Sequence, residues 1–146
     1  MEFASVRQQE VYDRIGPWLV ELFGEPRVFA KEAYPGFALP WGTAVVHVAA
    51  QPWLEDDCYI DVLSWVAVGP EVTPELMQFL LNQNEGFVVG GFGLDDEGDV
   101  FFRYAVHGAS ATREALAQAI QAVGEAADRY DDEIVARWGG TRAADR

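Results

Sequence analysis

The chain of 146 residues holds one cysteine, Cys58, one lysine, Lys31, and two histidines. A single cysteine closes no disulfide within the chain and offers no thiol pair for a metal or a redox couple. Ten basic residues stand against 24 acidic ones, a formal charge of −14. No basic stripe exists to displace counterions from phosphate, which argues against nucleic acid and anionic membrane as partners. Long apolar runs are also missing: nothing approaches the roughly 18 residues of a membrane span. The first ten residues, MEFASVRQQE, lack the basic start and apolar run of a leader. These absences lead us to expect a cytoplasmic protein.

What is present is a core. Half the residues are hydrophobic and 13% are aromatic, far above what a disordered chain carries. At this length a single domain buries roughly 68–70% of its unfolded surface. We expect one domain over residues 1–140 and a C-terminal tail over 141–146.

Ser5 and Gln8 have the spacing of a capping box, and Val11, Ile15, Trp18, Leu19 and Leu22 continue on one helical stripe. Gly16 and Pro17 interrupt that stripe, predicting a kink near Ile15 or a restart at Pro17; Gly24 and Pro26 end it. Pro35, Gly36 and Pro40 punctuate the next stretch, where only residues 34–39 read as an edge strand. Residues 43–51 and 58–68 are rich in valine and aromatics and flank a polar turn, the pattern of a hairpin. Thr73, Pro74 and Glu75 open a second helix that runs to about Asn84 and stops at Gly86. Its Leu76, Met77, Phe79, Leu80 and Leu81 cover more than one stripe, so a single packing layer cannot hide them all. Thr112 opens the longest helix, with Leu116, Ile120, Val123, Ala127, Tyr130, Ile134 and Trp138 on its apolar face and Gly139 at its end.

Between the last two helices lies FVVGGFGLDDEGDVFFRYAVHG, residues 87–108. An EF-hand loop counted from Asp95 has its first three ligand positions. Glycine then falls at position four instead of six, and Val106 stands where the clamping glutamate belongs. The glycines precede a strand instead of a helix N-terminus, so they form no phosphate cradle. The simpler reading is a hairpin: strands over 87–94 and 100–106, joined by a loop at 95–99 in which Gly98 takes positive φ. The acids then serve the turn.

Cys58, His47 and Asp61 supply the residue types of a nucleophile, base and orienting acid. Cys58, however, follows two aspartates, which blunts a thiol instead of activating it. The two histidines are scattered among carboxylates without metal-ligand spacing. We expect no catalytic residue, no metal and no cofactor.

The sheet itself is unusual. An antiparallel sheet covered on one side alternates apolar and polar residues. In residues 58–68, Ile60, Val62, Val66 and Val68 alternate with Tyr59, Leu63, Trp65 and Ala67, so both faces are apolar. Val100, Phe102, Tyr104 and Val106 likewise oppose Phe101, Arg103 and His107, and Val45 opposes Ala44, Val46 and Val48. Either the first helix or the 27–40 segment wraps onto the second face, or that face docks a partner.

The order helix, three strands, helix, two strands, helix resembles the type III secretion chaperone-like fold. Residues from Ser64 onward, SWVAVGPEVTPELMQFLLNQNEGFVVGGFGLDDEGDVFFRYAVHG and ALAQAIQAVGEAADRYDDEIVARWGG, are similar to the YbjN-related peptide-binding chaperones. Three features carry the likeness: an asparagine-rich turn at residues 80–85, an acid-tipped hairpin, and a D-x-Y-D-x-x-[ILV] ending at Asp128, Tyr130, Asp131 and Ile134. It covers about the last 80 residues well and the first 40 in outline. The resemblance implies a two-layer α+β domain, α-β-β-β-α-β-β-α, with an antiparallel sheet packed against helices. It also implies a homodimeric, non-enzymatic chaperone or adaptor that holds a peptide or protein client. It carries over no ligand residue. From the residues themselves, Leu63, Trp65, Phe101, Met77 and Leu81 are the candidates for a peptide-binding or dimer surface. The alternative function is a regulatory or sensory module that binds a folded basic partner through the acidic side of the last helix.

Overall fold

The computed structural model describes residues 2–25, 27–31 and 34–145. Helix α1 (Val6–Phe23) starts from Ser5, whose hydroxyl accepts the N–H of Gln8. The Gln8 side chain returns the bond to Ala4 and not to Ser5, and its amide donates to the Ala50 carbonyl at 2.9 Å. One buried glutamine thus starts the helix and fastens it to the sheet. Pro17 lies inside α1 without breaking it, and Gly24 ends it at φ 81°. Pro26, expected to share that role, lies outside the described residues.

Four strands follow: β1 (Arg27–Lys31), β2 (Tyr34–Trp41), β3 (Ala44–Trp53) and β4 (Asp57–Val68). Helix α2 (Pro74–Gly86), strands β5 (Gly91–Leu94) and β6 (Val100–His107) and helix α3 (Arg113–Trp138) come next. The strands form one antiparallel sheet in the order β1-β2-β3-β4-β6-β5. The α+β, helix-on-sheet architecture is therefore the expected one, with two additions. β1 supplies the edge that residues 34–39 were expected to occupy, so β2 is an interior strand. The residues set apart as a tail form a short strand β7 (Thr141–Arg142) on β4 and a 3₁₀ turn, Ala143–Asp145.

All three α-helices pack on one face of the sheet, here called inner. Val11, Ile15 and Leu19 of α1, Leu76 and Leu80 of α2, and the apolar stripe of α3 form one core with Phe37, Leu39, Val46, Val48, Ile60, Val62, Val100 and Phe102. A bulge in β4 between Trp65 and Ala67 shifts the alternation, so Ala67 joins Val66 in the core instead of facing outward beside Leu63. The β5 strand is shorter than residues 87–94. Phe87 turns its ring in against Phe92 and Phe102 before pairing begins, and Gly90, at φ 75°, leaves room for the Phe102 ring.

Gly124 of α3 lies directly beneath the Trp41 indole, where an added Cβ would stand 2.4 Å from the ring, whereas Gly86 has open space around it. Gly124→Ala is expected to destabilise by about 1–3 kcal/mol, lowering the melting temperature by several degrees. Gly86→Ala is expected to be neutral or to raise it slightly. Calorimetry on the pair checks the placement of α3 against β2.

Candidate functional site

The outer face of the sheet carries Val45, His47, Ala49 and Gln51 from β3. From β4 it carries Tyr59, Asp61, Leu63 and Trp65, and from β6 Phe101, Arg103, Ala105 and His107. None of these belongs to the core formed with the helices. Leu63 and Phe101 are half-buried by their neighbours, and Trp65 is 36% exposed. Strand register explains their proximity: Trp65 lies opposite Phe101, and Leu63 between His47 and Arg103. Phe101 lies over Gly93, where an added Cβ would meet its ring at 2.5 Å. His47 meets the Trp65 ring edge-on at 5.6 Å.

Charge within this strip is balanced. Arg103 donates to Asp61 at 2.6 Å and to the Tyr59 hydroxyl at 3.2 Å, and Tyr59 donates to Gln51. At one end Trp53 meets His107 at 5.8 Å, and Tyr59, Arg103 and Ala105 complete a shallow depression of about 540 Å³. At the other end the Trp65 indole N–H donates to Asp95 at 3.1 Å.

The acidic hairpin tip is built by its own acids. Asp95 accepts the N–H groups of Glu97 and Asp99, and the buried Asp99 accepts the N–H of Gly69 at 2.8 Å. Burial raises the Asp95 carboxyl, but the Asp99, Trp65 and Glu97 donors outweigh it and hold the group below its usual range. Gly98 takes φ 81°, as the turn requires.

The sheet separates the residue types that resembled a nucleophilic triad. Cys58 faces the core, fully buried, and burial followed by the Asp57 charge pushes its thiol up to about 11. His47 and Asp61 lie on the opposite face, where Asp61 is held by Arg103. His107 bonds Asp57 and Ser110, and that bond, with the Cys58 N–H, holds Asp57 low.

Met77 and Leu81 are not part of this strip. They lie on the exposed side of α2, with Leu81 70% exposed, while α2 itself packs on the inner face through Leu76 and Leu80. Val88, in the loop after α2, stands fully in solvent beyond them. The five candidate residues therefore divide into two surfaces.

The recurring sequence features turn out to be fasteners. Asn84, in the asparagine-rich turn, accepts the Phe92 N–H at 2.7 Å and donates to the Phe92 carbonyl at 3.1 Å, occupying both groups in the edge strand β5. Tyr130 donates to Gln83 and packs on Phe87 and Phe92. Asp128 and Asp131 reach the β2–β3 turn: the Thr43 hydroxyl is 2.6 Å from a carboxyl oxygen of each, and its N–H is 2.7 Å from Asp128. The Thr43 hydroxyl, with one hydrogen to donate, is thus shared between the two carboxyls. The Thr43 bonds hold the Asp128 carboxyl below its usual range, whereas burial pushes that of Asp131 up despite its own bond to Thr43.

The result is a one-sided, helix-backed antiparallel sheet whose other face is apolar and charge-poor. The crystal structure of the ExsC–ExsE complex contains a chain of the same fold: TM-score 0.65, 14% identity, covering 89% of this chain and 96% of that one. No curated protein matches the sequence. Residues 9–146 match the family model for T3SS (YopN, CesT) and YbjN peptide-binding chaperone 1. The chain belongs to that family of peptide-binding chaperones.

Three predictions follow from this geometry. Because burial raises Asp131 in the folded chain, the stability linked to this carboxyl is fully present below the ordinary pKa of 3.8 and is lost as pH rises through the raised folded value. Asp131→Asn, which keeps a donor at every pH, is expected to remove that loss from the pH profile of the melting temperature. Asp128→Asn, which keeps an acceptor oxygen but removes the charge behind both exposed Thr43 bonds, is expected to lower the melting temperature by about 2–4 °C. For Cys58, alkylation in the folded protein is expected to proceed only as fast as the chain unfolds, measured by mass spectrometry against a denatured control.

Proposed function

We propose that the chain is a cytoplasmic, non-enzymatic chaperone or adaptor that holds a client segment against the outer face of its sheet. In this reading it works as a homodimer through the exposed side of α2. The observation that carries the first part is the uncovered apolar strip at Leu63, Trp65 and Phe101, which all three α-helices leave to solvent. Its composition is that of an interface centre: aromatic residues, one arginine and almost no uncompensated charge. The dimer is supported by Met77 and Leu81, exposed on a helix whose other side is already packed, and by Val88, exposed in the loop that follows it. The inert, buried Cys58 and the internally bonded Asp95 and Asp99 support the absence of catalysis.

The alternative, a module that binds a folded basic partner through α3, has less behind it. Glu133 pairs with Arg137, Asp132 faces Arg142, and Asp128 and Asp131 hold Thr43.

The test combines capture with folding. Trp65→Ala with Leu63→Ser is expected to lose, by about tenfold or more, the client proteins that the unaltered chain retains from a lysate of its source cells. The circular dichroism spectrum should stay unchanged. Undiminished retention would sink the outer-face reading. Retention that vanishes in high salt and ignores these substitutions would favour the acidic-helix alternative. Leu81→Asp is expected to convert a dimer to a monomer in light scattering across a dilution series, and a parent chain that is monomeric throughout refutes the dimer.

A further inference from the structure

The outer strip is neutral along its length and acidic at both ends. At the Trp53 end, the β3–β4 turn presents Glu55 and Asp56, both exposed. Asp57, next to them, is engaged by His107. At the Trp65 end, the β5–β6 loop presents exposed Asp96 and Glu97, while Asp95 is taken up by the loop and by the Trp65 indole. Arg7, beside the β3–β4 turn, pairs with Glu10, and Arg103, in mid-strip, pairs with Asp61. Eight residue steps of β4, from Asp57 to Trp65, separate the two ends, about 26 Å at the rise of a strand.

We propose that the occupant of this face is an extended segment of about eight residues, apolar at alternate positions and carrying a basic residue at each end. The proposal rests on the peptide-holding reading above and specifies its ligand. The apolar positions would meet Leu63, Trp65, Phe101 and the depression beside Trp53. The basic ends would meet Glu55 and Asp56 on one side and Asp96 and Glu97 on the other. The same arrangement disfavours a second copy of this chain. Laid along the strands in either direction, a copy sets an acidic end against an acidic end, in a chain already at −14.

The experiment uses the full chain and a fluorescein-labelled synthetic peptide of alternating valine and serine with arginine at both ends. A glutamate-ended twin is the control, and both are read by fluorescence anisotropy. The arginine-ended peptide is expected to bind at least about tenfold more tightly at ~50 mM salt, with the contrast falling below about threefold at ~500 mM. The quadruple variant Glu55→Gln, Asp56→Asn, Asp96→Asn, Glu97→Gln should remove most of that contrast, and Trp65→Ala should weaken both peptides. Equal binding of the two peptides, abolished by Trp65→Ala, overturns the recognition of basic ends and leaves outer-face docking standing. Preference for arginine that ignores Trp65→Ala overturns the placement. Failure of both peptides to bind overturns the proposal. In that case, a dimer that Leu63→Glu dissociates would assign the face to a second copy, and a monomer would overturn the peptide-holding reading as well.

Discussion

The parity of β4 is the constraint from which the rest follows. Successive strand residues point to opposite faces, so the buried set Cys58, Ile60, Val62, Ser64 and Val66 obliges Tyr59, Leu63 and Trp65 to point the other way. In a sheet with helices on both sides that would be ordinary packing. Here α1, α2 and α3 all share the inner face, and their apolar stripes close into one core with it. The apolar residues on the second face therefore lie outside that core.

One-sidedness is held by side-chain bonds between the helices and the rim of the sheet. Gln8 ties α1 to β3, Asn84 ties the end of α2 to β5, and Asp128 with Asp131 ties α3 to the β2–β3 turn. Each uses a polar side chain to satisfy backbone or hydroxyl groups that would otherwise be stranded at an element end. Together they pin every helix to the same side. The Asn84 amide has a second consequence: it occupies the N–H and carbonyl of Phe92 in the edge strand β5, so those two groups are not free to pair with an added strand.

Much of this was legible in the sequence where local chemistry is strong. Ser5, Thr73 and Thr112 cap their helices as read, although Gln8 closes its half of the box on Ala4; the β3–β4 hairpin, the acidic loop with its left-handed Gly98, and the period of α3 hold too. Other features depend on partners distant in the chain. β1 is only five residues and exists by pairing with β2. β7 is two residues recruited by the end of β4. The β4 bulge reverses the side taken by Ala67, which strict alternation cannot foresee. The spacing of Asp128, Tyr130 and Asp131 marked a recurring helix ending. That its target is the hydroxyl of Thr43, 85 residues earlier, needed the fold. The candidate surface was half legible: Leu63, Trp65 and Phe101 converge, whereas the excess of apolar residues on α2 belongs to another surface.

The acidity of the chain and the apolarity of its outer face are two parts of one arrangement. Carboxylates inside the strip would have to be desolvated when a partner docks, and the one that is there, Asp61, already has Arg103 and Gln51 as partners. Carboxylates at the strip's ends stay in water, where they keep like-charged chains apart without entering the contact. In the proposed docking, apolar area would supply the attraction in the middle, and the charged rim would discriminate among segments that share it. A surface arranged in this way need not be larger to be more selective, because the wrong charge at either end opposes docking while leaving the central contacts unchanged.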